Sequence, residues 1–146
     1  MLAGPRAVAG PAGAFLVVKN YTGDRLHFGL AAEIARAGGV AVETVVVADD
    51  VALRDTVEKG RRRGIAGTVL AHKVAGAAAA AGLPLPEVMG LAHRAAENVG
   101  SIAVALGGCM PPAGLTSGFD LADDGIELGL GIHGEPGVTR TEMKPL

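Results

Sequence analysis

The sequence predicts an α/β fold in which a mostly parallel sheet carries helices on both of its faces. Short apolar runs rich in β-branched residues alternate along the chain with segments of helical periodicity, as in proteins with parallel sheets. Aromatic residues make up only 3% of the 146 residues, whereas glycine contributes 23. A core of Ala, Val, Leu and Ile side chains suits helices that pack closely on a sheet.

The first elements lie between two glycine-rich stretches. Residues 1–13 are rich in Gly and Pro and are expected to be a flexible segment before a domain over residues 14–146. The apolar run 14–18 predicts a buried strand, and a polar loop follows it over residues 19–24. A helix is predicted over residues 26–37 because its apolar residues recur with helical spacing. The apolar face of this helix consists of Leu26, Leu30, Ile34 and Ala37.

The middle of the chain continues the alternation of strands and helices. Residues 40–47 predict a second strand, and the charged stretch 55–64 is expected at the surface. A helix over residues 65–81 is so rich in alanine that it must pack closely, and a further helix is predicted over residues 87–98 after Pro86.

The last part is predicted to contain less regular structure. Residues 101–106 and 126–132 predict a third and a fourth strand, separated by a long loop over residues 107–120. Residues 139–146 are expected to form no regular element. Because strands and helices alternate through most of the chain, we expect one parallel sheet.

Charge and composition argue against several classes of protein. The chain carries 15 acidic residues against 13 Lys and Arg, a balance that argues against binding to nucleic acid or to an anionic membrane. The single cysteine, Cys109, excludes an internal disulfide, so the reducing cytoplasm is the expected compartment. The longest uncharged run contains Pro111 and Pro112, so no transmembrane helix is expected.

Three motifs are weak signals of function. Residues 129–134 match G-x-G-x-x-G, but Pro136 and Gly137 would break the helix that a dinucleotide site requires. The four histidines lack the spacing of a metal site, so no metal is expected. The basic run favours a solvated loop over a phosphate or acidic partner, and it consists of Lys59, Arg61, Arg62 and Arg63.

Two loops that follow predicted strands hold groups capable of proton or nucleophilic chemistry. One ends in Asp24, and the other, over residues 131–137, contains His133. Ligands of open α/β sheets bind at the carboxyl ends of strands, and flanking glycines let a small molecule approach the backbone. From the residues alone, Asp24 as a helix N-cap and His133 as a turn residue stay open alternatives.

Together these stretches resemble the dihydroxyacetone (glycerone) kinase family, and specifically its substrate-binding K domain. The matching segments follow one another in the family's order over nearly the whole chain. They are Val18-Lys-Asn-Tyr-Thr-Gly-Asp24 with residues 28–31, residues 45–53, residues 60–68 with His72 and Lys73, and Gly129-Leu-Gly-Ile-His-Gly-Glu-Pro-Gly137. The last motif is highly specific to the family.

The resemblance implies roles for three residues. His133 would bind dihydroxyacetone covalently, its imidazole nitrogen adding to the carbonyl carbon to form a hemiaminal. Asp24 would hydrogen-bond a substrate hydroxyl and act as the base in phosphoryl transfer, with Lys19 at the same pocket. This chemistry is physically sensible, because a neutral imidazole is nucleophilic near pH 7 and a covalent tether fixes a small polar molecule.

The resemblance also implies partners. In the family the phosphate donor lies on a separate nucleotide-binding L domain or subunit with Mg²⁺, which uses ATP directly or holds a bound ADP that a phosphotransferase protein rephosphorylates. We therefore expect an L-type partner, no cofactor bound by this chain, and a homodimer.

The sequence departs from the family in several respects, including His27, which stands where the family usually shows Asn, and residues 107–110. It lacks the family's Ser-Gly-His-Glu-Pro motif, and it is shorter than the family's K domain. We therefore expect an incomplete domain that is inactive as an isolated chain. The alternative is a truncated, non-catalytic ketone-binding or regulatory relative of the K domain.

Overall fold

A computed structural model of the chain describes residues 1–108 and 119–144. The elements are α1 (Ala3–Val8), β1 (Ala14–Lys19), α2 (Thr22–Ala37), β2 (Val42–Val47), α3 (Gly67–Ala80), α4 (Leu85–Asn98), β3 (Val104–Ala105), β4 (Gly125–Leu128) and β5 (Thr139–Glu142). Two short 3-10 helices lie between β2 and α3, at Val51–Leu53 and Lys59–Arg61. The predicted loop over residues 107–120, with Cys109, lies mostly outside the described residues.

The centre of the fold is a parallel pair of strands covered by helices on both faces. β1 pairs with β2 from Ala14 opposite Val42 to Lys19 opposite Val47. Alternate strand residues point to opposite faces, so each strand contributes to two cores. One core, against α3 and α4, contains Phe15, Val17, Val45 and Val47, and the other, against α1 and α2, contains Ala14, Leu16 and Val42. The predicted α/β fold is confirmed.

Alanines form the contact between α3 and α4. Their small side chains let two helices and a sheet approach closely, as the alanine-rich sequence of α3 predicts. The fully or nearly fully buried alanines are Ala71, Ala75 and Ala78 of α3 with Ala92 and Ala96 of α4.

The buried face of α2 differs from the predicted one. Leu26, Leu30 and Ile34 are 66%, 58% and 40% exposed, whereas Ala32 and Ala35 on the neighbouring stripe are buried. Periodicity identifies an apolar stripe without showing which stripe meets the sheet. Here the smaller side chains face the strands, because the helix lies close to them.

The last three strands form a separate antiparallel sheet in the order β3-β4-β5. The expectation that residues 101–106 and 126–132 continue the parallel sheet is therefore wrong. Ser101 makes a single parallel bridge to Asp50, and the chain then leaves the parallel pair. The expectation that residues 139–146 form no regular element is wrong, because Thr139–Glu142 form β5. These four residues are all polar and exposed, so they give no apolar signal of a strand.

The segment over residues 1–13 contains α1, a helix that its Gly and Pro content does not predict. Pro5 is buried, and α1 contacts α2 and β1. The flexibility of this segment stays a prediction.

Among the residues that the structure describes, no helix has the length and apolar character needed to cross a membrane.

Candidate functional site

The connection between β1 and α2 places two of the three predicted site residues. Lys19 is the last residue of β1, and Asp24 lies in the first turn of α2, which begins four residues earlier than predicted. Tyr21 occupies the N-cap position, so the alternative that Asp24 caps the helix is wrong. A carboxylate in the first turn is favoured by the partial positive charge of the helix N-terminus.

His133 lies in a turn after β4, with its side chain 58% exposed. Its ring meets the ring of Tyr21 edge to face, with centroids 4.3 Å apart and an interplanar angle of 85°. This geometry is favourable for aromatic pairs. The contact brings the His133 turn to the carboxyl end of β1, as the predicted position of both loops requires.

Glu135 fixes the backbone and one side of the His133 ring. Its Oε2 accepts a hydrogen bond from the His133 N–H at 2.9 Å, and its Oε1 lies 3.9 Å from Nδ1 of the imidazole. A side chain at Gly131 would overlap this carboxylate, so glycine is required there. A carboxylate beside Nδ1 favours a proton on that nitrogen, which leaves Nε2 with its lone pair.

Burial raises the pKa of the Glu135 carboxyl, but hydrogen bonds and nearby charges outweigh burial and hold this pKa below its ordinary value of 4.5. The hydrogen bonds come from its own N–H and from that of His133, and the charges are those of His133 and Arg63. Glu135 is therefore ionised at neutral pH.

The hydroxyl of Tyr21 is buried and makes no hydrogen bond of ordinary geometry to any residue that the structure describes, although the backbone N–H of Ile132 lies near enough to favour its ionised form. Burial, followed by the negative charge of Glu135, raises the pKa of Tyr21 above 10.0. The side chain therefore stays neutral at physiological pH, and its contribution to the site is the ring.

Arg63 ties the His133 motif to the parallel sheet. Its Nε donates to Oδ2 of Asp50 at 2.6 Å, and its Nη2 donates to the carbonyl oxygen of Gly129 at 2.6 Å. Asp50 is fully buried and Arg63 is 13% exposed. Gly129 has φ +78°, a left-handed conformation that favours glycine. The expectation that this arginine belongs to a solvated surface loop is wrong.

Asp49 completes the scaffold beside Asp50. Its carboxylate accepts hydrogen bonds from the backbone N–H groups of Ile65 and Gly67, both at 2.7 Å, and from the hydroxyl of Ser101. These contacts join the end of β2 to the start of α3 and to the segment before β3.

The structure therefore brings together the loops of Lys19, Asp24 and His133 rather than the side chains themselves. Within residues 1–108 and 119–144, no hydrogen bond or ion pair joins these three residues to one another. Sequence reasoning did not single out Tyr21 and Glu135, the residues that contact His133, although both lie inside the quoted motifs.

One cavity lies apart from this site, whereas the glycine-rich motif overlaps the site at His133. A cavity of about 570 Å³ lies along the antiparallel sheet, and none of the three predicted site residues lines it. The G-x-G-x-x-G match over residues 129–134 forms turns and no helix, as the sequence predicts. In the described part of the chain, no group of three or more His, Cys, Asp or Glu could hold a metal ion.

Comparison with known proteins gives consistent results at the level of sequence. A PTS-dependent dihydroxyacetone kinase subunit, DhaK, of Listeria innocua is 49% identical over 97% of this chain and 43% of its own length. A triokinase/FMN cyclase of Mus musculus is 52% identical over 100% of this chain and 25% of its own length. The chain thus spans between a quarter and a half of the relatives it matches.

Solved structures agree with the sequence comparison. The dihydroxyacetone kinase of C. freundii superposes with a TM-score of 0.86 at 46% identity, covering 99% of this chain and 26% of that one. The dihydroxyacetone kinase operon co-activator DhaQ superposes with a TM-score of 0.88 at 34% identity, covering 99% and 44%. The family model of the Dak1 domain matches residues 1–146. The chain therefore belongs to the Dak1 domain family, which confirms the resemblance carried by its sequence motifs.

Proposed function

We propose that this chain is the substrate-binding part of a dihydroxyacetone kinase, with His133 forming a hemiaminal with dihydroxyacetone. The observation that carries the proposal is the ring contact between Tyr21 and His133. It sets an exposed imidazole against the connection between β1, which ends at Lys19, and α2, whose first turn contains Asp24. The names of the relatives support the substrate, since several are dihydroxyacetone kinases or their dihydroxyacetone-binding subunits.

The covalent step balances with the groups present. Nε2 of His133 attacks the carbonyl carbon, and the electron pair of the C=O bond moves to the oxygen, which takes up one proton. The imidazole loses the proton on Nδ1, beside which Oε1 of Glu135 lies 3.9 Å away. No atom leaves, so the product is the neutral hemiaminal. Glycerol, which has no carbonyl, would not react.

In the proposed phosphoryl transfer, Asp24 and Lys19 act on the bound substrate. Asp24 accepts the proton of the substrate hydroxyl that attacks the phosphate, and Lys19 supplies a positive charge at the same pocket. The phosphate comes from a separate L-type domain or subunit with Mg²⁺, which either uses ATP, leaving ADP, or holds an ADP that a phosphotransferase protein rephosphorylates. The homodimer also belongs to this proposal and is supported only by the family resemblance.

The second candidate is a non-catalytic ketone-binding or regulatory protein. The likeness to the operon co-activator DhaQ favours it, because a protein of that title shares this fold at 34% identity. Such a protein would bind the triose without transferring phosphate.

Carbon NMR with dihydroxyacetone labelled at its carbonyl carbon tests the covalent step. We expect the folded protein to convert part of the carbonyl signal into that of a tetrahedral carbon. His133→Ala should abolish this signal, whereas His93→Ala, on an exposed face of α4, should retain it. A tetrahedral signal of equal size in folded His133→Ala would exclude His133 as the attachment site.

Phosphorylation with an added L-type partner and ATP separates the two candidate functions. In the kinase, Asp24→Asn should keep the adduct but lower the rate by at least about 100-fold, as expected for a lost general base. An adduct without any phosphorylation by the unmodified chain would favour the regulatory candidate.

A further inference from the structure

The four cations of the basic run over residues 59–63 have different environments. Arg63 pairs with buried Asp50, and Arg62 donates to the carbonyl oxygens of Val57 and Arg54. Lys59 pairs with Glu97 at 2.7 Å. In the described part of the chain, Arg61 makes no ion pair or side-chain hydrogen bond. Three of the four cations therefore bind other parts of the fold, whereas the guanidinium of Arg61 has no such partner among the described residues.

Arg61 faces a cavity of about 340 Å³ that is also lined by Asn20, Thr22 and Arg25. The lining holds two positive charges and no carboxylate. Arg25, in the first turn of α2, makes no ion pair with any residue of the described ranges. Two unneutralised guanidinium groups on one concave surface create a positive potential there.

A buried asparagine joins the two walls of this cavity. Asn20 is 8% exposed, and its Nδ2 donates to the carbonyl oxygens of Gly60 and Arg62 at 2.9 and 2.7 Å. Its Oδ1 accepts from Nη1 of Arg25 at 3.4 Å. The asparagine thus fixes the backbone on both sides of Arg61 against the end of β1, and the cavity is held in shape before any ligand binds.

We infer that this cavity binds a phosphate-type oxyanion through Arg25 and Arg61. The planar donor groups of two arginines match the oxygens of a phosphate, and the hydroxyl of Thr22 provides a further donor. The cavity lies on the same β1–α2 connection as Asp24. If the proposed function is correct, the anion is the phosphate of a phosphorylated triose or that of a nucleotide carried by a partner. Binding of the anion itself does not depend on that function.

Amide NMR titration of the intact chain with inorganic phosphate, at constant ionic strength and without dihydroxyacetone, tests the inference. We expect saturable shifts at Asn20, Arg25 and Gly60. Arg25→Gln and Arg61→Gln should each weaken binding about tenfold, the size expected for one charge-assisted contact. Arg54→Gln is the control, because Arg54 is exposed, pairs with Asp55 and does not line the cavity.

Equal weakening in all three variants would reveal a general charge effect and overturn the inference, as would the absence of saturable shifts. Glycerol phosphate and ADP, titrated in the same way, distinguish the two sources of the phosphate. Tighter binding of glycerol phosphate would assign a phosphorylated triose, and tighter binding of ADP would assign a nucleotide. Since these titrations contain no ketone, their result is independent of whether His133 forms an adduct.

Discussion

Tyr21 contributes its ring to the candidate site, where it limits the orientations of the His133 imidazole. Its buried hydroxyl makes no hydrogen bond of ordinary geometry within the part of the chain that the structure describes. A buried polar group without a partner costs free energy relative to an apolar group of the same shape. The two parts of the side chain can therefore be tested separately.

Tyr21→Phe should leave the free energy of unfolding unchanged or raise it by about 1 kcal/mol, because the ring stays and an unsatisfied hydroxyl is removed. Tyr21→Leu should weaken triose binding about tenfold, because the imidazole then loses the ring contact that is one of the two contacts orienting it. Urea unfolding measures the first effect and the carbon NMR titration the second. A loss of stability in Tyr21→Phe would reveal a partner for the hydroxyl.

Glu135 gives the His133 turn a dependence on pH. The folded-state pKa of Glu135 is below its ordinary value of 4.5, so the ionised carboxylate stabilises the folded state, and it does so in full above pH 4.5. This contribution is lost as the pH falls through the folded-state pKa. We expect the difference in unfolding free energy between the unmodified chain and Glu135→Gln to be present at pH 7 and to shrink in acid. A difference that grows in acid would contradict the direction of this pKa shift.

At the scale of elements, the His133 motif depends on a contact with the parallel sheet that is distant in sequence. Arg63, after the second 3-10 helix, pairs with Asp50 at the end of β2 and holds the carbonyl oxygen of Gly129. Removing one partner of a buried ion pair leaves the other charge buried and unpaired. The position of the turn is thus set by three separate segments.

Arg63→Ala should lower the free energy of unfolding by about 3 kcal/mol, the usual cost of a broken buried pair. Amide hydrogen exchange over residues 129–137 should also become faster. Arg54→Ala, which removes an exposed pair with Asp55, should change stability by less than about 1 kcal/mol. If Arg63→Ala unfolds the chain, Arg63→Lys, which keeps the charge, should fold with faster exchange in the same residues. Unchanged exchange in a folded variant would exclude the contact as the anchor of the turn.

At the scale of the molecule, α2 exposes a stripe of large apolar side chains. Leu26, Leu30 and Ile34 are exposed together, and the last two line a groove of about 340 Å³ with Met1 and Leu2. Adjacent apolar side chains at the surface favour contact with other molecules.

Leu30→Glu should change the free energy of unfolding by less than about 0.5 kcal/mol, because the side chain is not part of either core. Ala35→Glu, on the buried face of the same helix, should prevent folding. Urea unfolding compares the two variants. A large loss of stability in Leu30→Glu would show that the apolar stripe containing Leu30 is the buried face of α2. Sedimentation of the same variant would also test whether the predicted homodimer uses this stripe.

The sequence by itself determined the α/β fold, the two central strands, the three long helices and the turn that holds His133, whereas Asp24, expected in a loop, lies in the first turn of α2. These follow from local patterns: β-branched runs, helical spacing, and glycines at helix ends such as Gly39 and Gly82, both with positive φ. The family followed from motifs that are contiguous in the chain.

Only the tertiary structure decided which side chains meet. The ring contact joins Tyr21 to His133, which is far away in sequence, and Arg63 pairs with Asp50 on a different segment. The buried face of α2 and the antiparallel pairing of β3 to β5 likewise depend on how whole elements pack. Local periodicity carries no information about such pairs, because burial and charge compensation depend on the packing of whole elements. For the same reason the sequence could not show which cations of the basic run pair with other described residues and which one, Arg61, does not.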